Sequence, residues 1–134
     1  MKNLLCNSLT TPDGTVLHSY HRHDYKEHID SVTGELYIID GGLEYLRTSI
    51  NTVPATYTTI YTDDPHDIIR ETFVWGTYGK KGDQPLKYVT LMELTDNHID
   101  AIIETQKNLR DYIKQVFLNE IEYRKFYDLR VDER

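Results

Sequence analysis

The chain has 134 residues, 39% of them hydrophobic and 28% charged, which is typical of a folded globular protein that buries its own core. The formal net charge of −7 argues against general binding of DNA, which depends on lysine and arginine contacts to phosphate. The single cysteine, Cys6, excludes an intramolecular disulfide, and no zinc-type spacing or long apolar run is present. We therefore predict one domain over residues 1–134, kept in a reducing cytoplasm and bound to no cofactor, DNA or membrane.

The first part of the chain predicts antiparallel strands. Residues 4–20 form a predicted hairpin around the Thr-Pro-Asp-Gly turn at 11–14, because proline presets φ and Asp-Gly favours a tight turn. Residues 25–40 predict a second hairpin, and the simplest arrangement of the four strands is a meander.

Gly41 and Gly42 then interrupt the alternating pattern. The apolar spacing that follows predicts a short helix over residues 43–50, and a strand is predicted at 57–61. Two acidic residues followed by Pro65 predict the start of a helix that runs to residue 73.

The most apolar segment, residues 86–94, predicts a strand in the centre of the sheet. Thr95 is the predicted N-cap of the next helix, and residues 108–127 predict a long terminal helix. The fold class is thus α+β, an antiparallel sheet with short helices packed on it and two C-terminal helices. The last helix is long enough to pair with another subunit.

A glycine-rich loop precedes the apolar segment. Gly76, Gly79 and Gly82 alternate with Trp75 and Tyr78 and with two lysines, Lys80 and Lys81. Glycines permit positive φ, aromatic rings stack on bases, and backbone N–H groups and cations bind phosphate. The loop therefore suggests a nucleotide site, and an ordinary connector is the alternative.

Cations elsewhere in the chain are candidate phosphate contacts. Arg47, Arg70, Lys80 and Lys87 are the residues predicted to meet phosphate, since arginine binds it bidentately and lysine as a point charge. The alternative is that these cations complement helix dipoles. The loop has neither the Walker A nor the dinucleotide-binding pattern.

A histidine cluster spans residues 18–28. On a strand His21 and His23 would share a face and, with His18 and Asp24, bind a metal or supply a general base. Against this, no metalloenzyme signature is present and Arg22 repels a cation. We predict no catalytic set and no metal, and keep His21 and His23 as ligand-binding candidates.

Several segments resemble a widespread family of small tailed-phage proteins. They are HRHD at 21–24, DGGLEYLR at 40–47, RETFVWGTYG at 70–79, QPLKYV at 84–89, NHIDAI at 97–102 and EIEYRK at 120–125. The resemblance suggests phage anti-defence proteins that bind the cyclic dinucleotide signals of host CBASS immunity, such as cGAMP, without cleaving them. It implies a homo-oligomer such as a tetramer, in the cytoplasm of the infected bacterium.

The expected function is therefore a non-enzymatic cyclic dinucleotide sponge for immune evasion. In it Trp75 or Tyr78 stacks on a base and the cations meet phosphate. Two alternatives stay open: a metal-dependent nucleotide phosphoesterase that uses the 18–28 histidine cluster, and a phage protein that binds a host protein.

Overall fold

A computed structural model describes residues 2–79 and 81–132, which form two compact units, Met1–Tyr61 and Thr62–Arg134. The α+β class is confirmed, because antiparallel strands and helices are both present. The strands are β1 (Leu4–Thr10), β2 (Val16–His18), β3 (Lys26–Ile29), β4 (Leu36–Asp40), β5 (Arg47–Thr48), β6 (Thr56–Tyr61), β7 (Val74–Thr77) and β8 (Lys87–Thr90). The helices are α1 (His66–Thr72), α2 (Asp96–Thr105) and α3 (Asp111–Phe126). That residues 1–134 act as one domain stays a prediction.

None of the helices in the described part of the chain combines the length and the apolar character needed to cross a membrane.

The first unit contains two three-stranded antiparallel sheets, ordered β2-β1-β6 and β3-β4-β5. Both predicted hairpins and the predicted strand β6 are confirmed. The four-strand meander is wrong, because β2 and β3 lie in different sheets. The second edge of β1 pairs with the distant β6, with Leu9 facing Tyr57. Long-range pairing of this kind leaves no local signal in the sequence.

The helix predicted over residues 43–50 is also wrong. The backbone N–H groups of Glu44 and Tyr45 both reach the carbonyl of Gly41, at 2.9 and 3.2 Å, and the chain then pairs with β4 as strand β5. The buried Asn7 side chain donates to the carbonyls of Asp40 and Gly42, each at 3.0 Å. These hydrogen bonds from Asn7 stabilise the turn that the chain forms in place of the helix.

In the second unit the three helices begin and end near the predicted positions. The predicted cap of α2 is confirmed, since the Oγ1 of Thr95 accepts a hydrogen bond from the His98 N–H at 3.1 Å. The acidic cap predicted for α1 is wrong: Pro65 holds the N-cap position, with no side-chain cap bond. Helix α3 begins at Asp111 instead of residue 108.

The predicted central strand is wrong. Strand β8 ends at Thr90 and pairs with β7 alone, in a two-stranded sheet. The apolar run continues as a short 3₁₀ helix, Leu91–Glu93, in which Leu91 is fully buried. Its apolar character therefore reflects a buried turn and not a strand between two others.

A buried carboxylate lies at the centre of the second unit. Glu120 is 0% exposed and accepts hydrogen bonds from Nε2 of His66 at 2.9 Å, from Nε and Nη2 of Arg70 at 3.0 Å each, and from Nε of Arg124 at 2.7 Å. Burial alone raises the pKa of Glu120, but these hydrogen bonds outweigh burial and lower it to about 2. Arg124 also donates to Asp96 and to the Leu91 carbonyl, at 2.6 and 3.0 Å.

We expect Glu120→Gln to lower the free energy of unfolding by ~3–5 kcal/mol, because the substitution leaves the buried Arg70 guanidinium without its carboxylate and Arg124 with Asp96 alone. The folded pKa of about 2 lies below the ordinary value of about 4.3. The stabilisation is therefore present above pH ~4.3 and is lost as the pH falls toward 2. Urea unfolding between pH 2 and 7 measures it.

The exposed Glu122→Gln is the matched control on the same helix and should change stability little. A Glu120→Gln variant as stable as the wild type at pH 7 would contradict the network's role.

Candidate functional site

A cleft of about 720 Å³ lies in the second unit, between β7 with its following loop and one face of α2. The strand and loop contribute Trp75, Gly76, Thr77, Tyr78, Gly79, Lys81 and Gly82. The helix side contributes Thr95, Asn97, His98, Ala101, Ile102, Thr105 and Gln106. Small-molecule sites in proteins have volumes of about 300–1,000 Å³, so the cleft is large enough for a nucleotide.

Two of the three glycines of the loop have the positive φ that the sequence predicts, whereas Gly76 lies in strand β7. Gly79 and Gly82 have φ of +87° and +72°, in the left-handed region that favours glycine. The Gly82 N–H donates to the Gly79 carbonyl at 3.1 Å, and the Gln84 N–H donates to that of Tyr78 at 2.8 Å. These bonds fold the loop back on itself beside the cleft.

The two aromatic candidates both line the cleft, in different environments. Trp75 is half-buried and packs edge-on against Phe117, with ring centroids 5.2 Å apart and an interplanar angle of 83°. Tyr78 is 56% exposed. Packing against Phe117 thus holds Trp75 in place at one side of the cleft, whereas most of the Tyr78 ring is accessible to a ligand.

The helix face of the cleft was missed by sequence reasoning. His98, Ala101 and Thr105 recur every three to four residues and so lie on one face of α2. These side chains are small or polar, and that spacing was the available signal. Thr95 caps the first turn of α2, which carries His98. The positive end of the helix dipole therefore lies at the cleft.

The predicted cations do not all gather at the cleft. Arg70 differs most from its predicted role: its guanidinium binds Glu120 and lies 4.5 Å from the ring centroid of Tyr123, in the interior. Lys87 lies on β8 outside the described lining, whereas Lys81 is part of it. Lys80 lies outside the described residues.

Arg47, His21 and His23 belong to the first unit. Nδ1 of His23 lies 2.9 Å from the Tyr45 hydroxyl, and Nη1 of Arg47 lies 3.4 Å from Asp40. Nδ1 of His21 lies 3.0 Å from the carbonyl of Arg22. His23 and Arg47 are therefore brought into one polar network, while His21 contacts its own loop.

Among the described residues, His18, His21, His23 and Asp24 do not form the metal group that the phosphoesterase alternative requires. His18 stacks on Tyr20 with ring centroids 4.0 Å apart, and burial followed by the Lys26 charge lowers the pKa of His18 to about 4. In the part of the chain that the structure describes, the three metal-type side chains that do converge are Asp13, His28 and Asp30, with ligand atoms within 4.8 Å of one another.

This Asp13–His28–Asp30 cluster is filled by hydrogen bonds. Oδ2 of Asp13 accepts from the Ser31 N–H and from His28 Nε2, both at 2.8 Å, and the Asp13 N–H donates to Asp30 at 2.7 Å. Hydrogen bonds from Ser31 and then from His28 hold the pKa of Asp13 well below its usual range. The cluster joins the turns of the two hairpins.

Comparison of the chain with protein-family models, curated proteins and solved structures found no match.

We expect Asp13→Asn to destabilise the protein at neutral pH, because the amide replaces a charged acceptor that receives hydrogen bonds from both hairpin turns. The folded pKa is lowered, so the stabilisation by Asp13 is present above its ordinary pKa of about 3.9 and declines as the pH falls below it. The difference in melting temperature between the wild type and Asp13→Asn should therefore become smaller in acid.

Asp100→Asn, at an exposed position on α2, is the control. A difference in melting temperature that stays constant from pH 7 to pH 2.5 would contradict the role of the Asp13 charge.

Proposed function

We propose that this protein binds and sequesters a cyclic dinucleotide without cleaving it, in the cleft of the second unit. The observation that carries the proposal is the cleft itself, with Trp75 and Tyr78 beside a folded glycine loop. The resemblance to small tailed-phage proteins suggests the setting: a sponge for the signals of host CBASS immunity in the cytoplasm of an infected bacterium.

The chemistry of the lining supports a ligand with bases and phosphates. A base stacks on an aromatic face, and stacking tolerates any base because each has a π face. Lys81 and the dipole at the start of α2 favour the negative charge of a phosphate. A cleft of about 720 Å³ accommodates more than one base.

The lining also supports binding rather than turnover. Among the described lining residues no carboxylate accompanies His98, so the acid and base pair typical of hydrolysis has no candidate there. Sequestration needs only affinity, which a preorganised pocket supplies. The phosphoesterase alternative relied on the 18–28 histidine cluster, of which only His28 belongs to a metal-type group among the described residues, with Asp13 and Asp30.

We expect Tyr78→Ala to weaken binding of a cyclic dinucleotide ~10-fold, since stacking contributes ~1–3 kcal/mol per base. Tyr57→Ala, at a similarly exposed tyrosine in the first unit, should leave affinity unchanged. Calorimetric titration with a panel of cyclic dinucleotides measures both. Mass spectrometry of the ligand released by heat should recover it intact.

Linear products in that experiment would overturn sequestration and favour an enzyme. A wild-type protein that binds no member of the panel would overturn the proposal altogether, and a host protein would become the better candidate partner.

We further propose that the protein forms a homo-oligomer, such as a tetramer, through the end of α3. Phe126 is 81% exposed, and Tyr127 and Leu129 beside it are also exposed. An exposed apolar group of this kind typically marks an interface. The same surface would serve a host protein if the chain proves monomeric.

Phe126→Ser should reduce the mass measured by light scattering to that of a monomer, because the change removes the largest exposed apolar side chain of α3. Leu118→Ser, at an exposed position near the middle of α3, is the control for helix surface polarity. A wild-type protein that is monomeric at ligand-saturating concentration would contradict the oligomer.

A further inference from the structure

Tyr45 connects two loops of the first unit, residues 19–25 and residues 40–47. Its hydroxyl lies 3.2 Å from Oδ2 of Asp40 and 2.9 Å from Nδ1 of His23. A carboxylate only accepts, so the single hydroxyl proton goes to Asp40 and His23 must donate its Nδ1–H to the Tyr45 oxygen. The neutral His23 ring therefore keeps its lone pair on Nε2.

Asp40 is a buried carboxylate with spare acceptor capacity. Its side chain is 7% exposed, and its Oδ1 has no hydrogen-bond donor among the described residues. Oδ2 accepts a hydrogen bond from the Tyr45 hydroxyl and a longer one, of 3.4 Å, from Nη1 of Arg47. A buried acceptor left open costs free energy, which suggests a function for Asp40 beyond packing.

The two loops are held rigidly together. The Gly42 N–H donates to the Ser19 hydroxyl, and that hydroxyl donates to the carbonyl of Asp24, both at 2.8 Å. A Cβ on Gly42 would lie 2.3 Å from the carbonyl carbon of His21, so only glycine permits this approach. His23 itself has φ of +64°, a strained value for a residue with a side chain.

Cationic groups surround this frame. Arg47 is 60% exposed, and its side-chain hydrogen bond among the described residues, to Asp40, leaves most of its five N–H donors for a ligand. Arg22 is close enough to Tyr45 to oppose the rise in the pKa of Tyr45 that burial and Asp40 cause. Arg22 precedes His23 in the chain, and Arg47 is linked to His23 through Asp40 and Tyr45. These groups are suited to a phosphate, which arginine binds bidentately.

We propose that the first unit carries its own anion site, in which Arg47 and Nε2 of His23 contact a phosphate group. Asp40 and Tyr45 are positioning residues: Asp40 orients Arg47 directly and His23 through Tyr45. The lone pair on Nε2 accepts a hydrogen bond from a P–OH group of the phosphate, while Nδ1–H keeps its bond to Tyr45. The site is independent of the cleft and of the proposed cyclic dinucleotide.

Inorganic phosphate is the probe, titrated into the ¹⁵N-labelled full-length protein and followed by NMR. We expect saturable shifts of the His23 imidazole and the Arg47 guanidinium. Arg47→Gln should weaken the apparent affinity by about tenfold or more, since a charged hydrogen bond is lost. Lys114→Gln, which removes an exposed cation from α3, should leave it unchanged.

Equal affinity in Arg47→Gln and wild type, or no saturable shift at His23, would overturn the site. Tyr78→Ala, in the cleft, should not alter the phosphate shifts of His23. The failure of the dinucleotide proposal and the failure of this one are therefore distinguishable.

The positioning role is tested by the imidazole tautomer, which a purely structural role for Tyr45 would not set. We expect ¹⁵N spectra at high pH to show His23 protonated at Nδ1 in the wild type, and Tyr45→Phe to abolish this preference while the fold is retained. A wild-type His23 protonated at Nε2, or an unchanged tautomer in Tyr45→Phe, would overturn it.

Discussion

The second unit depends on one buried negative charge. Glu120 cannot be solvated, so its charge is balanced by Arg70 from α1 and Arg124 from its own helix, with His66 as a third donor. Arg124 extends the network to Asp96 in the first turn of α2 and to the carbonyl of Leu91. A fully paired interior charge is costly to break and specifies one arrangement of the helices. The helix wall of the cleft takes its position from that network.

The first unit has a neutral polar group at its centre, the side-chain amide of Asn7, where the second unit has a charged one. The Asn7 amide is buried on β1 and donates to the carbonyls of Asp40 and Gly42, while its own backbone carbonyl accepts from the Ser19 N–H. One side chain thereby supplies partners for the turn after β4 and lies beside the loop that carries His23. Because those backbone groups are satisfied internally, the turn can hold Tyr45 and Arg47 at the surface without a helix or a long strand.

Local chemistry was predictable from the sequence, and long-range pairing was not. Turn residues located both hairpins, Thr95 located the start of α2, and Gly79 and Gly82 of the loop have the expected positive φ. Two of the errors share one cause, since a partner distant in the chain takes part in each. Asn7 stabilises a turn where a helix was predicted. Strand β1 pairs with β6, and the predicted meander does not form. Trp75 and Tyr78 line the cleft, and their role in binding stays a prediction. The α2 face was not predicted, because its small or polar side chains form no recognisable motif.

Counting cations in a sequence overestimates how many are available to a ligand. Arg70 and Arg124 serve the interior carboxylate, and burial makes that commitment strong. Arg47 differs because its hydrogen bond to Asp40 is long. The other oxygen of that carboxylate, Oδ1, has no hydrogen-bond donor among the described residues. An acidic protein can therefore present a selective anion site if a few cations are held by partners that orient them without neutralising them. Burial of the partner carboxylate together with exposure of the cation is the combination that separates such a site from a structural ion pair.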